Sequence, residues 1–437
     1  MNPLRFDFEW ASVPGSKDPV IGATMADLEI RLGDQSITKV YDRRVQCVRD
    51  RVLVSLYPLA EWVAAHWWPL LEENLVPGRT ERGPFAEKHS FRHAGDGFAL
   101  PDLTLVPEGE TVLLRCVPLS LEHQPISFQT DLQDYLPKDH VREVLSDLIE
   151  AVLERILSAN LRGTWLESEW NALRDMDPEE VDFCQAVARM GLDPFDIPDD
   201  VRDAVLDAAS KLPGSAAEEV FRCASPSSLP GISEWISVGI GKIGASRCRL
   251  PDLSPIRSSL GDVRQGLPWE RGYQMARDLR SRMALSPEPP LDLRQVLGPD
   301  TPVVQAEGPP SRAINALVGA RGESAFCCYG DIPALEESRR FLIARALGLC
   351  LQTSHPLPGV LSVAVTQEQQ QNRAFAAELL APANSIRQRM RSEMISEDDL
   401  DDLSRLFKVS SYVVAHQVRN HRLGTLVDSA SFGQRQG

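Results

Sequence analysis

Between Phe341 and Leu351 the chain runs FLIARALGLCL, uncharged at every position except Arg345. A helix that is apolar all round offers no face to solvent, so other elements must wrap it. A guanidinium inside such a run needs acceptors, because an unpaired charge in a low dielectric is costly. The stretch therefore demands a packed core helix with partners converging on Arg345. Glu378 and Glu368 are the expected ion-pair partners, and Gln369 the expected hydrogen-bond partner. A guanidinium that snorkels to solvent is the alternative.

At 437 residues the chain exceeds one ordinary core and predicts two or three domains. Apolar content of 43% and charged content of 25% fit a soluble globular protein. No uncharged apolar run reaches the length of a membrane-spanning helix, and MNPLRFDFEWASVPGSKD lacks the pattern of a secretory signal. A cytoplasmic protein with no membrane partner is the expectation. The eight cysteines form no CxxC pair and read as reduced, mostly buried thiols. Net charge is −16, and residues 131–220 carry about −14 of it. Such acidity opposes non-specific binding to nucleic acid.

Residues 1–125 read as a β-rich domain with one helix. Leu28, Ile30 and Leu32 alternate before a turn at Gly33-Asp34. Leu103–Val106 and Thr111–Val117 predict a strand pair around Glu108-Gly109. RVLVS starts strand-like and turns helical near Pro58, with Trp62, Val63, His66, Trp67 and Leu70 near one face. Residues 126–225 predict a helical connector. Its apolar stripe runs from Val144 to Ile156, and further helices cover Pro178–Met190 and Asp199–Lys211. Residues 226–266, rich in proline, glycine and serine, read as a linker. Residues 267–437 form the last domain, with an amphipathic helix at PWERGYQMARDLRSRMAL and strand candidates TPVVQAE and ESAFCCYGD.

Three stretches of that domain occur in a telling order. They are Arg340-Phe341-Leu342-Ile343-Ala344 with Arg345-Ala346-Leu347-Gly348-Leu349, then Phe375-Ala376-Ala377-Glu378-Leu379-Leu380-Ala381-Pro382, then Leu403 to Ser411 with Asn420-His421-Arg422-Leu423. In this order they resemble the ImmA/IrrE family of metallopeptidases over roughly 160 residues. The resemblance implies a mainly helical, zincin-like domain with a small sheet, and so an α+β chain overall. It also implies an HExxH helix, on which two histidines four apart bind zinc and a glutamate activates the metal-bound water. At those positions this chain has Arg345 for the first histidine, Ala346 for the glutamate and Leu349 for the second histidine. The third-ligand region reads Gln369-Gln370-Gln371. Arginine and leucine do not bind zinc, and alanine cannot accept a proton. The residues thus deny the chemistry that the family implies, and no cofactor is expected.

Other stretches carry weaker signals. His66, His89 and His93, with Asp96 and Asp102, are an alternative zinc set, although KHSFRHAGDGF reads as loop or strand. Zinc ligands relocated to His355 or His416 would make an active endopeptidase. GIGKIG lacks the Lys-Ser/Thr of a phosphate loop. Pro101-Asp102 before TVLLRC lacks the acidic residue and lysine of a PD-(D/E)xK nuclease. The EWVAAHWWPL stretch places Trp62, His66, Trp67 and Trp68 as core, with a protein interface as the alternative reading. Ser396 to Leu423 resembles a helix-turn-helix with His416, Arg419 and His421 on its second helix. Packing within the domain is expected of it, and a DNA-binding regulator is the alternative. The leading expectation is a non-catalytic protein that binds a protein partner, in bacterial regulation, stress response or phage defence, as the family resemblance implies.

Overall fold

The computed structural model describes residues 2–13, 15–76, 82–120, 125–245, 267–298, 303–305, 311–319, 327–330, 333, 335–352 and 358–427. It is a mixed α+β chain that divides into two compact units, Met1–Ile197 and Pro198–Gly437. Among the described residues no helix is long and apolar enough to cross a membrane.

In the first unit, strands Leu4–Trp10 and Met25–Leu32 pair antiparallel from Leu4↔Leu32 to Trp10↔Ala26. The alternation expected at Leu28, Ile30 and Leu32 is present, and all three are buried. Gly33, with φ at +57°, makes the turn into Gln35–Ser36. Asp102–Pro107 and Thr111–Val117 form the expected hairpin, with Gly109 also at positive φ. Two departures follow from packing. Residues 126–137, expected as helix, supply strands Ile126–Phe128 and Leu132–Pro137, each completing a sheet begun earlier in the chain. The tryptophan-rich stretch is two helices, Leu56–Ala65 and Trp67–Glu72, broken at His66.

Helix Lys138–Ser158 buries Val141, Leu145, Leu148, Ile149, Val152 and Ile156, the stripe its spacing demands. Helix Pro178–Arg189 starts with an Asp177–Glu180 capping box and ends before Gly191 at φ +77°. Beneath it lies a buried charge cluster. Glu72 accepts from Lys138 Nζ at 2.9 Å and from Arg189 Nε at 3.0 Å.

The second unit begins inside the expected connector. Helices Asp199–Lys211 and Gly214–Cys223 belong to it. The linker reading of 226–266 fails over its first half, which forms a 3-10 turn at Pro226–Ser228 and the helix Leu229–Ala245. Proline and glycine suggested breaks, but Pro230 sits in the first turn, where its missing N–H costs nothing. Leu229, Ile232, Ile236 and Ile243 recur at helical spacing and are buried. Residues 246–266 lie outside the described set.

The sheet of this unit runs in the order Val303–Gln305, Cys327–Gly330, Ile314–Gly319, Gly359–Ser362; the first pair is parallel and the others antiparallel. Gly319 leaves room for Ile243, whose Cγ2 would lie 2.5 Å from a Cβ there. Helix Glu336–Leu351 is buried from Ala344 through Leu351, as its composition required. Helix Gln367–Leu380 crosses both Glu336–Leu351 and Pro268–Arg282. At the second crossing a Cβ on Gly272 would fall 2.3 Å from the Gln371 carbonyl oxygen.

Candidate functional site

Arg345 is 6% exposed, so the guanidinium does not snorkel to solvent. Its Nη2 donates to Gln369 Oε1 at 2.7 Å and to the Ser362 carbonyl at 3.0 Å. Its Nη1 donates to Asn315 Oδ1 at 2.8 Å. One side chain therefore ties helix Glu336–Leu351 to helix Gln367–Leu380 and to two strands of the sheet. Gln369 also donates from Nε2 to the Val360 carbonyl at 2.8 Å, and it is fully buried.

Of the expected partners, Gln369 is joined to Arg345 and Glu378 is occupied elsewhere. Glu378 lies nine residues beyond Gln369, about 13 Å along the helix at 1.5 Å per residue. There it accepts from Arg277 Nε at 2.9 Å and from Gln417 Nε2 at 2.8 Å. The carboxyl of Glu368 is pushed up to about 8 by burial, and the nearby Glu219 adds to the effect. Ala346 and Leu349, the other residues compared above with the zinc motif, are packed core residues at 0% and 3% exposure.

Behind Arg345 lies a group that sequence reasoning missed. Glu219, on helix Gly214–Cys223, accepts a short hydrogen bond from the Ser362 hydroxyl. Burial raises its pKa, opposed by the charges of Arg222, Arg373 and Arg345. Arg373 Nη2 donates to the carbonyls of Ser362 at 3.1 Å and Ala364 at 2.9 Å. Asn315 was detectable in principle, as a polar residue within the apolar strand INALVG. Nothing local marks Ser362 and Glu219 as partners across 143 positions of chain.

On the open side of Arg345 lies a cavity of about 990 Å³. Phe341, Leu342 and Arg345 line it from one helix, Gln370, Arg373 and Ala377 from the next, and Tyr412, Val413 and His416 from Ser411–Asn420. The helix-turn-helix-like tail is bound into this unit. Ser396 caps Glu397–Phe407, Lys408 takes the left-handed C-cap, and Gln417 bonds both Glu378 and the Ala381 carbonyl. The His416 ring lies tilted against Tyr412, centroids 4.2 Å apart, and burial pushes its pKa down.

The other candidate residues stand apart from this cavity. Trp67 and Trp68 are buried in the core of the first unit, Trp67 edge-on to Trp170 at 5.0 Å. Both take the expected core placement, and the interface alternative fails for these two, because neither can reach a partner without opening the core. Trp62 and His66 are half-buried; the His66 ring lies 4.8 Å from Trp62 and its Nδ1 meets the Trp62 carbonyl at 2.8 Å. KHSFRHAGDGF is helical at first, ending helix Arg82–His89 and forming a 3-10 turn at Phe91–His93. His89 is fully buried against Phe85 with Nδ1 on the Leu105 carbonyl at 2.8 Å, while His93 is exposed. Asp102 accepts from Ser90 Oγ at 2.7 Å. Among the described residues no three His, Cys, Asp or Glu side chains gather as a metal set. His355 lies outside the described residues.

Comparison of the chain with protein-family models, with curated proteins and with solved structures finds no match.

Proposed function

We propose that the second unit is an ImmA/IrrE-like, zincin-like domain that has lost its peptidase chemistry and acts by binding. The observation that carries this reading is the Arg345–Gln369 hydrogen bond. It joins the two helices across which the family's motifs would place zinc ligands. A guanidinium has five donors and no lone pair for a metal, so at this position it substitutes an organic bridge for a coordination bond. Leu349 and Ala346 add neither a ligand nor a base.

The protein then works without cutting, by binding a protein partner in a regulatory, stress-response or phage-defence setting in bacteria. The adjoining cavity supports this reading, since a working peptidase cleft and a binding pocket need the same open face but different floors.

Elemental analysis of the full chain purified without a histidine tag tests the proposal. Zinc far below one equivalent, with no hydrolysis of casein, is the expected result. One equivalent that a chelator removes, with peptidase activity lost alongside, overturns it.

A further inference from the structure

The cavity beside Arg345 has a charge character opposite to that of the whole protein. Among the described residues, Arg312, Arg345 and Arg373 line it against one carboxylate, that of Glu337. Behind its floor, the Glu219 carboxyl lies in the field of Arg222, Arg373 and Arg345. Arg373 donates to two backbone carbonyls, which leaves its formal charge uncancelled by those bonds.

The rest of the lining is aromatic and aliphatic. Trp269, Tyr273, Phe341 and Tyr412 all contribute, and Tyr412 keeps half of its surface exposed. The volume lies at the upper end of the roughly 300–1,000 Å³ typical of small-molecule pockets, which combine apolar walls with a few convergent polar groups. Guanidiniums favour carboxylate and phosphate oxygens, and aromatic walls favour a flat ring.

We propose that this cavity binds a small organic anion with an aromatic body, its carboxylate or phosphate seated at Arg373 and Arg345 and its ring against Tyr412 and Trp269. The proposal rests on the reading that this cleft binds and does not cut, and it supplies that reading with an effector site.

Titration of the full chain with 8-anilinonaphthalene-1-sulfonate, followed by fluorescence, tests it. Saturable binding of one equivalent is expected, with the neutral analogue N-phenyl-1-naphthylamine bound at least about tenfold more weakly. Arg373→Gln and Tyr412→Ala should each weaken binding of the sulfonate by about tenfold or more. Tyr412 is exposed enough for its variant to fold even if loss of the Arg373 bonds disturbs the strand, and near-UV circular dichroism checks both.

Displacement of the probe by adenosine monophosphate assigns a phosphate ligand, and displacement by indole-3-acetate a carboxylate. Displacement by neither, equal binding of the neutral analogue, or an unaltered Tyr412→Ala variant overturns the proposal. Zinc content measured on the same sample separates the two readings. A metal-free chain that ignores the probe fails only this inference, whereas a stoichiometric zinc protein fails the loss of peptidase chemistry.

Discussion

The Arg345 guanidinium and the Gln369 side-chain oxygen meet at 2.7 Å in a buried helix crossing. Removing the guanidinium leaves buried acceptors on Gln369, Asn315 and Ser362 without this donor. Arg345→Ala should therefore lower the stability of the full chain by about 2–4 kcal/mol, read by urea denaturation. Arg345→Lys should recover only part of the loss, because an ammonium is a point donor and cannot span three acceptors as the planar fork does. Equal stability of Arg345→Ala and the parent would show that the bridge is ornamental.

Glu368 makes stability depend on pH. Its carboxyl rises from an ordinary value of 4.5 to about 8 in the folded state. The folded chain therefore holds a proton that the unfolded chain has released, so the contribution is full below pH 4.5 and is lost as pH rises to about 8. Buried Glu219, shifted in the same direction, adds to the slope. Glu368→Gln should flatten the decline between these limits and raise the melting temperature most at pH 8 and above. An unchanged slope by differential scanning fluorimetry would contradict this.

Much of this arrangement was legible in the chain, and the reasons for the rest are physical. The all-apolar run at 341–351 dictated a buried helix, and its one arginine dictated a search for acceptors that correctly included Gln369. The acceptors Asn315 and Ser362 were not legible, because sheet register and helix docking bring them together and no local pattern records either. Period-2 alternation gave Met25–Leu32, and turn chemistry gave the Gly109 hairpin. Local composition misled at Leu229–Ala245, where burial of four apolar residues at helical spacing outweighed four glycines and a proline. It misled again at residues 126–137, whose strands are defined by partners far earlier in the chain.

Gly272 offers a test of the helix crossing that supports the cavity. A Cβ there would fall 2.3 Å from the Gln371 carbonyl oxygen and 2.9 Å from the Ala374 Cβ. In an exposed helix Gly→Ala stabilises by up to about 1 kcal/mol. Here Gly272→Ala should instead destabilise by about 2–3 kcal/mol, because the two helices must move apart. A gain in the urea midpoint would show that they have room to do so.

In the first unit, Glu72 is 3% exposed and serves two buried cations, Lys138 and Arg189. Glu72→Gln keeps the shape and removes the charge, stranding both. A loss of about 3–5 kcal/mol is expected at pH 7, far beyond that of an exposed ion pair such as Arg202–Asp199. Chemical denaturation of Glu72→Gln beside Asp199→Asn makes the comparison.

The hydrogen bond from Ser362 to Glu219 and the seat of Ile243 over Gly319 also decide where the chain can be cut. A fragment that opens at residue 267, where composition invites the scissors, would leave Ser362 without its carboxylate and the sheet without its cover. One that opens at Pro198 keeps both. Expressed separately, the longer piece should melt in a single sharp transition and the shorter should aggregate. The smallest autonomous folding cassette of this half thus begins some seventy residues before the boundary at residue 267 that composition suggests.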